Sequence, residues 1–225
     1  MDAETSDAET EPQPMQIDVI SDVMCPWCYI GKRRLEKALA SVPDIPVALR
    51  WLPYQLDETL PREGKDRQAY LNEKFGGTER AEAVYAPIRA AGAQEGIPFA
   101  FERIKKSPNT LDCHRLILWS RADGVQSEMA ERLFQLYFVE GADLTDPQVL
   151  IGAAADVGMM SDLVAELLPT DSDFEKIRKD LDKAHAIGVT GVPCFIIDER
   201  FMVMGAEKPE TIAAAIKHAH ETKPG

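Results

Sequence analysis

Residues 15–31 read MQIDVISDVMCPWCYIG, a stretch that joins a predicted strand to a predicted helix through two cysteines. QIDVIS has the β-branched content of a strand and runs directly into DVMCPWC. From Cys28 onward, apolar residues recur at helical spacing between lysines and arginines, and Pro43 and Pro46 end the segment. Residues 47–54, VALRWLPY, predict a second strand. The order is therefore strand, CxxC, helix, strand.

The middle of the chain is predicted to be helical, and its end returns to strands. The first two predicted helices cover 66–75 and 78–94, and a third runs from near Asn109 or Thr110 to Gly124. A fourth carries the apolar stripe from Met129 to Tyr137. Further helices start near Thr145 or Asp146 and near Ser161, and the last of this region runs from Phe174 to Gly188. CFIID and FMVM then predict two strands, and a last helix runs from about Pro209 to His220. We expect the two ends to pair into one sheet with the middle as an insertion.

These patterns predict an α/β fold with three parts. Residues 1–14 contain five acids and no base, and such a segment cannot bury enough surface to offset its ordering entropy. We therefore expect a disordered acidic tail over 1–14. Residues 15–60 and 189–221 would form a split sheet domain, and residues 61–188 would form an inserted all-helical domain.

Composition excludes several classes of protein. The chain has 225 residues, of which 45% are hydrophobic, enough to bury a core, so disorder over most of its length is excluded. No apolar run approaches the roughly 20 residues of a membrane span, and the start lacks the basic and apolar regions of a signal peptide. We therefore expect a cytosolic protein. Because 38 acids outnumber 25 bases, we expect it to bind neither nucleic acid nor a membrane.

The paired cysteines are the strongest chemical signal. In a reducing cytosol, a close pair indicates redox chemistry or metal binding rather than a structural disulfide. If Cys25 lies at the N-cap, Pro26 takes the first helical position and Cys28 follows on the same face one turn later. The free N–H groups of the first turn and the helix dipole then favour the Cys25 thiolate. Cys25 is the predicted nucleophile.

Two other interpretations of the cysteine pair, a zinc site and an inert buried pair, are less favoured. A zinc site would need further ligands from Cys113, Cys194 or the histidines, but there is no second CxxC and no HxxxH, so no metal is expected. An inert buried pair is disfavoured because the charged KRR, residues 32–34, implies an exposed helix start. Redox chemistry is the favoured interpretation.

A second signal is Gly191-Val192-Pro193, which immediately precedes the CFIID strand. A proline at the head of a central strand gives up a ladder donor, although a plain strand-start proline would have the same sequence. Taken together with the CxxC, the tripeptide predicts a cis Val192–Pro193 bond that places the Val192 backbone beside the cysteines.

The segments SDVMCPWCYIGKRRLEKAL, PNTLDCHRLILWS, GVTGVPCFIID and VMGA resemble, in this order, the DsbA family of thioredoxin-fold oxidoreductases and its cytosolic FrnE-like branch. The resemblance covers about residues 16–220. It implies a thioredoxin fold with an inserted helical domain, Cys25 as an exposed nucleophile, Cys28 as the resolving thiol, and Val192-Pro193 as the loop that receives an extended substrate. It also implies that four further residues lie near the cleft, namely Asp22, Asn109, Thr110 and His114.

DsbA itself has CPHC, so the strong oxidising power that its histidine supports is not carried over to CPWC. We expect Trp27 to shape a substrate groove beside Cys25. Either Asp18 or Asp22 is a candidate for a buried acid that moves the proton of Cys28. Two further cysteines fall on apolar stripes and are expected in the core rather than in redox chemistry, namely Cys113 and Cys194. No role is assigned to His185, His218 or His220.

The leading hypothesis is a cytosolic thiol–disulfide oxidoreductase that acts on peptide or protein thiols and disulfides, with glutathione as a further candidate and no bound cofactor. Kappa-class glutathione transferases and 2-hydroxychromene-2-carboxylate isomerases share the inserted fold but have a single serine where Cys25 stands. A third hypothesis is a non-enzymatic peptide-binding or chaperone module. The redox direction, the physiological substrate and the oligomeric state stay open.

Overall fold

The computed structural model describes residues 13–223 and arranges them as a mixed sheet surrounded by helices. The elements, in chain order, are β1 (Met15–Ser21), α1 (Pro26–Ala40), β2 (Val47–Pro53), β3 (Lys65–Asp66), α2 (Arg67–Phe75), α3 (Thr78–Gln94), β4 (Lys106–Ser107), α4 (Leu111–Trp119), α5 (Gln126–Gln135), α6 (Pro147–Asp156), α7 (Ser161–Leu167), α8 (Phe174–Ala186), β5 (Cys194–Ile197), β6 (Phe201–Met204) and α9 (Pro209–Glu221). A turn of 3₁₀ helix covers Phe101–Arg103, and a π-helical segment, Leu136–Glu140, continues α5.

The two ends of the chain form one four-stranded sheet in the order β2-β1-β5-β6. β1 runs parallel to β2, with Ile17 opposite Leu49, and antiparallel to β5, with Ile17 opposite Ile197. β6 pairs antiparallel with β5 at the sheet edge. The expected α/β fold, in which the first and last segments share a sheet around a helical insertion, is confirmed.

Helices cover the sheet from different directions. α1 and α9 lie side by side, and the Phe195 ring of β5 points toward α1, where it approaches Gly31. The neighbouring Cys194 packs in a separate cluster with Ile20 and Ala184 of α8. Because successive residues of a strand point to opposite faces, α1 and α8 lie on opposite sides of β5. α4, α5 and α8 of the insertion all contact β2.

The structure corrects two expectations about the insertion. It is not all-helical, because β3 and β4 pair antiparallel through Lys65–Ser107 and Asp66–Lys106. Strands of two residues are too short to show any period in the sequence. α4 also ends at Trp119 rather than at Gly124, because residues 120–124 form successive turns.

The remaining expectations about organisation concern boundaries and the tail. The division into 15–60, 61–188 and 189–221 stays a prediction, and residues 1–12 of the predicted acidic tail lie outside the described residues. Between residues 13 and 223, no helix is both long enough and apolar enough to cross a membrane.

Candidate active site

The CPWC segment lies where β1 gives way to α1. Cys25 is the N-cap residue, with extended backbone angles of φ −93 and ψ 111, and Pro26 takes the first helical position. Pro26 loses nothing there, because the first N–H groups of a helix have no partner within the helix. The Cys28 N–H donates to the Cys25 carbonyl at 3.0 Å. The predicted placement of both cysteines on the first turn is confirmed.

The expected exposure of this helix start is wrong. Cys25 is only 4% exposed and Cys28 only 1%, whereas the Trp27 side chain between them is 37% exposed. Lys32 is also buried, because its ammonium group lies 2.9 Å from the Glu131 carboxylate of α5. The charged residues after the cysteines therefore do not indicate that the helix start is exposed to solvent, because the insertion supplies an acid that pairs with Lys32.

The loop before β5 covers Cys25. The Val192–Pro193 peptide bond is cis, and the Cys25 thiol donates to the Val192 carbonyl oxygen at 3.6 Å. Pro193 in turn packs on Gly31 of α1 so closely that an added Cβ would lie 2.6 Å from the Pro193 Cγ. Sequence reasoning missed Gly31, although a glycine inside a helix costs stability and so indicates a packing requirement.

Cys28 lies beneath Cys25 in a desolvated environment. Burial raises the pKa of the Cys28 thiol well above its usual value, and a hydrogen bond with Cys25 together with its nearby charge raises the pKa further. Hydrogen bonds with the Ser21 hydroxyl and the Asp22 backbone lower the pKa of Cys28, but by less. Cys28 is therefore held as a thiol at neutral pH, in contact with the sulfur of Cys25.

Asp22 and His114 are brought together behind the cysteines. The fully buried Asp22 carboxylate accepts hydrogen bonds from the Leu56 N–H at 2.8 Å and the Met24 N–H at 3.4 Å. His114 Nε2 lies 2.9 Å from the Tyr54 carbonyl and 3.6 Å from the Asp22 carboxylate. Asp22 thus ties the turn before α1 to the loop after β2, and His114 attaches α4 to the same point.

Asn109 and Thr110 connect that loop to α4. Asn109 Oδ1 accepts from the Leu111 N–H at 3.0 Å, and its Nδ2 donates to the Leu60 carbonyl at 2.7 Å. Gln55 Nε2 reaches the Thr110 hydroxyl at 3.5 Å. Over residues 13–223, neither Asn109 nor Thr110 forms a hydrogen bond with either cysteine of the CPWC segment.

Comparison with known proteins agrees with this geometry. The family model of the DSBA-like thioredoxin domain matches residues 16–217. The chain belongs to this family. The DsbA relationship that the motifs suggested is therefore confirmed, while assignment to the FrnE-like branch stays a prediction.

Solved structures resemble this DSBA-like protein over almost its whole length. A probable DsbA oxidoreductase from Streptomyces coelicolor is 28% identical with a TM-score of 0.86, covering 94% of this chain and 92% of its own. A 2-hydroxychromene-2-carboxylate isomerase, 15% identical, has a TM-score of 0.70 and covers 92% and 97%. The cytosolic disulfide reductase DsbM from Pseudomonas aeruginosa with GSH is 19% identical, has a TM-score of 0.61 and covers 92% and 99%. The last two similarities concern the fold alone.

The other two cysteines of this DSBA-like protein lie in the core. The Cys113 thiol is fully buried, and its sulfur lies 3.9 Å from the Leu144 carbonyl. Burial raises the pKa of Cys194 to about 11 and holds the pKa of Cys113 well above its usual value. Since Cys194 packs on the face of β5 opposite α1, its sulfur is directed away from Cys25. Both positions agree with a structural role.

Two questions about the site remain, namely whether Asp18 is the acid that moves the proton of Cys28 and whether the site could hold a metal ion. The Asp18 carboxylate accepts from Arg50 Nε at 2.7 Å and is committed to that ion pair. Asp22, nearer to Cys28 in the chain, directs its carboxylate to loop N–H groups instead. In the described part of the chain, no group of three or more His, Cys, Asp or Glu side chains is arranged to hold a metal ion.

Proposed function

We propose that this protein is a thiol–disulfide oxidoreductase that exchanges disulfides with peptide or protein thiols through Cys25 and Cys28. The observation that carries the proposal is the position of the Cys25 thiol, 3.6 Å from the Val192 carbonyl oxygen, with Cys28 buried directly beside it. Both cysteines are free thiols in the structure. A reactive sulfur, a second sulfur within reach and a neighbouring backbone for docking are the parts that exchange requires.

In the reducing direction, the Cys25 thiolate attacks one sulfur of a substrate disulfide. The substrate S–S bond breaks, a Cys25–substrate disulfide forms, and the leaving thiolate takes up a proton. Cys28 then gives up its proton and attacks the Cys25 sulfur, which releases the second substrate thiol. The substrate gains two electrons, and the protein is left with a Cys25–Cys28 disulfide. The oxidising direction is the reverse of these steps.

The raised pKa of Cys28 suits it to the resolving role. A protonated thiol does not compete with Cys25 for the incoming disulfide, because only the thiolate is nucleophilic. Once the mixed disulfide forms, Cys28 lies one helical turn away and attacks as an intramolecular partner at very high effective concentration. The mixed disulfide is therefore short-lived in the wild-type protein.

The surroundings of Cys25 assign roles to the remaining candidates. Trp27 is exposed and apolar beside the nucleophile, so it would contact a substrate segment that lies along Val192 and Pro193. The polar atoms of Asn109, Thr110 and His114 are hydrogen-bonded within the protein, so we assign them to positioning the loop after β2 rather than to direct contact with substrate.

We further propose a cytosolic protein with glutathione as its small-molecule thiol and no bound cofactor. The structural relative with GSH is a cytosolic disulfide reductase of the same fold, which supports glutathione as the co-reactant. The isomerase relative keeps a glutathione-dependent isomerase or transferase as the second candidate function. The presence of both Cys25 and Cys28 favours disulfide exchange, because those isomerases and transferases resemble this chain in fold but have a single serine where Cys25 stands.

A trapping experiment tests the proposal. Cys28→Ser removes the resolving thiol, so mixed disulfides through Cys25 should accumulate in cells quenched with acid and an alkylating agent. Cys25→Ser should trap few or none. Cys113→Ser, a core cysteine removed from the site, is the matched control and should behave as wild type.

Each result has a distinct meaning. Reductant-sensitive adducts of high mass in Cys28→Ser alone support a protein disulfide exchanger. Adducts with glutathione alone contradict a protein substrate and favour a small-molecule role. Absence of adducts in both variants, with peptide binding retained, contradicts the redox function and favours the non-enzymatic binding module.

A further inference from the structure

A cavity that neither Cys25 nor Cys28 lines lies where the insertion meets the sheet. It has a volume of about 190 Å³, is open to solvent, and lies between β2, α4, α8 and the start of α5. Neither α1 nor the loop containing Pro193 contributes to its walls. Of the residues given a role in exchange chemistry, only His114, which attaches α4 to the loop after β2, lines this cavity.

The walls of the cavity are strongly cationic. Arg50 comes from β2, Arg121 from the turn after α4, and Lys176 and Lys183 from α8, whereas Asp180 is the single acid among the lining residues. This balance is the opposite of the whole chain, in which acids outnumber bases by 38 to 25. A local excess of positive charge on an acidic protein attracts anions to that place alone.

The acids of the protein neutralise only part of this charge. Asp180 lies 3.2 Å from the Lys176 ammonium and 3.4 Å from the Lys183 ammonium, so one carboxylate serves two lysines. Asp18 occupies the Nε and Nη2 groups of Arg50, which leaves its Nη1 group available. The side chain of Arg121 forms no hydrogen bond or ion pair with any residue in the range 13–223.

We propose that this cavity binds a phosphate group, either as inorganic phosphate or as a small phosphomonoester. Its cations come from three elements and so approach from different directions, which suits a tetrahedral dianion better than a planar monocarboxylate. Arginine presents planar N–H pairs that match phosphate oxygens, and two arginines line the cavity. The cavity, with a volume of about 190 Å³, is large enough for a phosphate group.

Calorimetric titration of the full chain tests the site without any dependence on thiol chemistry. Phosphate, glycerol 3-phosphate and acetate are each titrated at constant ionic strength in chloride. Phosphate should give saturable binding, and Arg121→Gln and Lys176→Gln should each weaken it about tenfold, because each removes one charge-assisted hydrogen bond to the anion and tenfold corresponds to about 1.4 kcal/mol. Lys179→Gln removes a charge from the same helix outside the cavity and should leave binding unchanged.

Comparison of the three titrated ligands shows which kind of phosphate compound the cavity binds. Saturable binding of glycerol 3-phosphate with the same variant pattern identifies a phosphomonoester site, and binding of inorganic phosphate alone identifies a free-anion site. A response that does not saturate, equal binding of acetate, or equal weakening by Lys179→Gln overturns the proposal. The last result would show only general attraction to a positive surface.

Discussion

Replacing Gly31 by alanine tests whether the close packing of α1 on Pro193 is required for activity. The new Cβ would lie 2.6 Å from the Pro193 Cγ, 3.2 Å from its Cβ and 3.4 Å from the Phe195 Cζ. Non-bonded carbons prefer about 3.5–4.0 Å, so the proline ring must move by roughly 1 Å. Pro193 cannot move without shifting Val192, whose carbonyl oxygen contacts the Cys25 thiol.

The effects on stability and activity should differ in size. Overpacking costs about 1–3 kcal/mol, while alanine in a helix gains about 0.5–1 kcal/mol over glycine, so the free energy of unfolding should fall by about 0–2.5 kcal/mol. A displacement of about 1 Å at a reacting centre lowers rates by up to about 100-fold. We therefore expect disulfide exchange to slow by about 10- to 100-fold in a protein that stays folded.

Gly152 provides a matched control, because it lies inside α6 and an added Cβ there meets nothing within 4 Å. Gly152→Ala should raise the free energy of unfolding by about 0.5–1 kcal/mol and leave activity unchanged. The assay combines urea unfolding with the initial rate of reduction of a fluorogenic peptide disulfide. If Gly31→Ala keeps the wild-type rate and stabilises the protein as much as Gly152→Ala does, the packing argument is refuted.

Three further predictions concern individual side chains. Because burial raises the pKa of Cys28, iodoacetamide near pH 8 should modify Cys25 well before Cys28 in peptide maps, and equal labelling would contradict the assigned roles. The Arg115 side chain is fully buried, and Arg115→Met leaves four backbone carbonyls of residues 167–172 without their donor, so urea unfolding should show a loss of about 3–5 kcal/mol; a loss below about 1 kcal/mol would contradict this role. Burial opposes ionisation of Glu131, but Lys32 and its other partners hold the pKa of the carboxyl below its usual value. The ionised Glu131 carboxylate therefore contributes to the free energy of unfolding above about pH 4.3, and this contribution is lost as the pH falls. The difference in stability between wild type and Glu131→Gln should shrink between about pH 5 and pH 3, and a constant difference would contradict the ion pair.

The features that local sequence determines were predictable. A β-branched run, a proline one residue into the helix and an apolar stripe define β1 and α1, and the structure places Cys25 and Pro26 as those signals indicate. The pairing of the two ends into one sheet followed from a helical middle that could not supply the missing strands.

Features that depend on distant partners were not predictable. Lys32 is buried because Glu131 of α5 pairs with it, and Cys25 is buried because Val192 lies over it. Each partner is about a hundred or more residues away in the chain, and no local pattern connects them. The strands β3 and β4 were not predicted for a related reason. Their pairing depends on how the insertion folds, and a strand of two residues shows no alternation of apolar and polar residues.

The most direct test of the central claim is a redox titration of the full chain against glutathione buffers, with thiols mapped at each point. The account predicts one reversible two-electron transition in which Cys25 and Cys28 form a disulfide while Cys113 and Cys194 remain thiols throughout. Absence of a reversible transition, or a disulfide that includes Cys113 or Cys194, would contradict it.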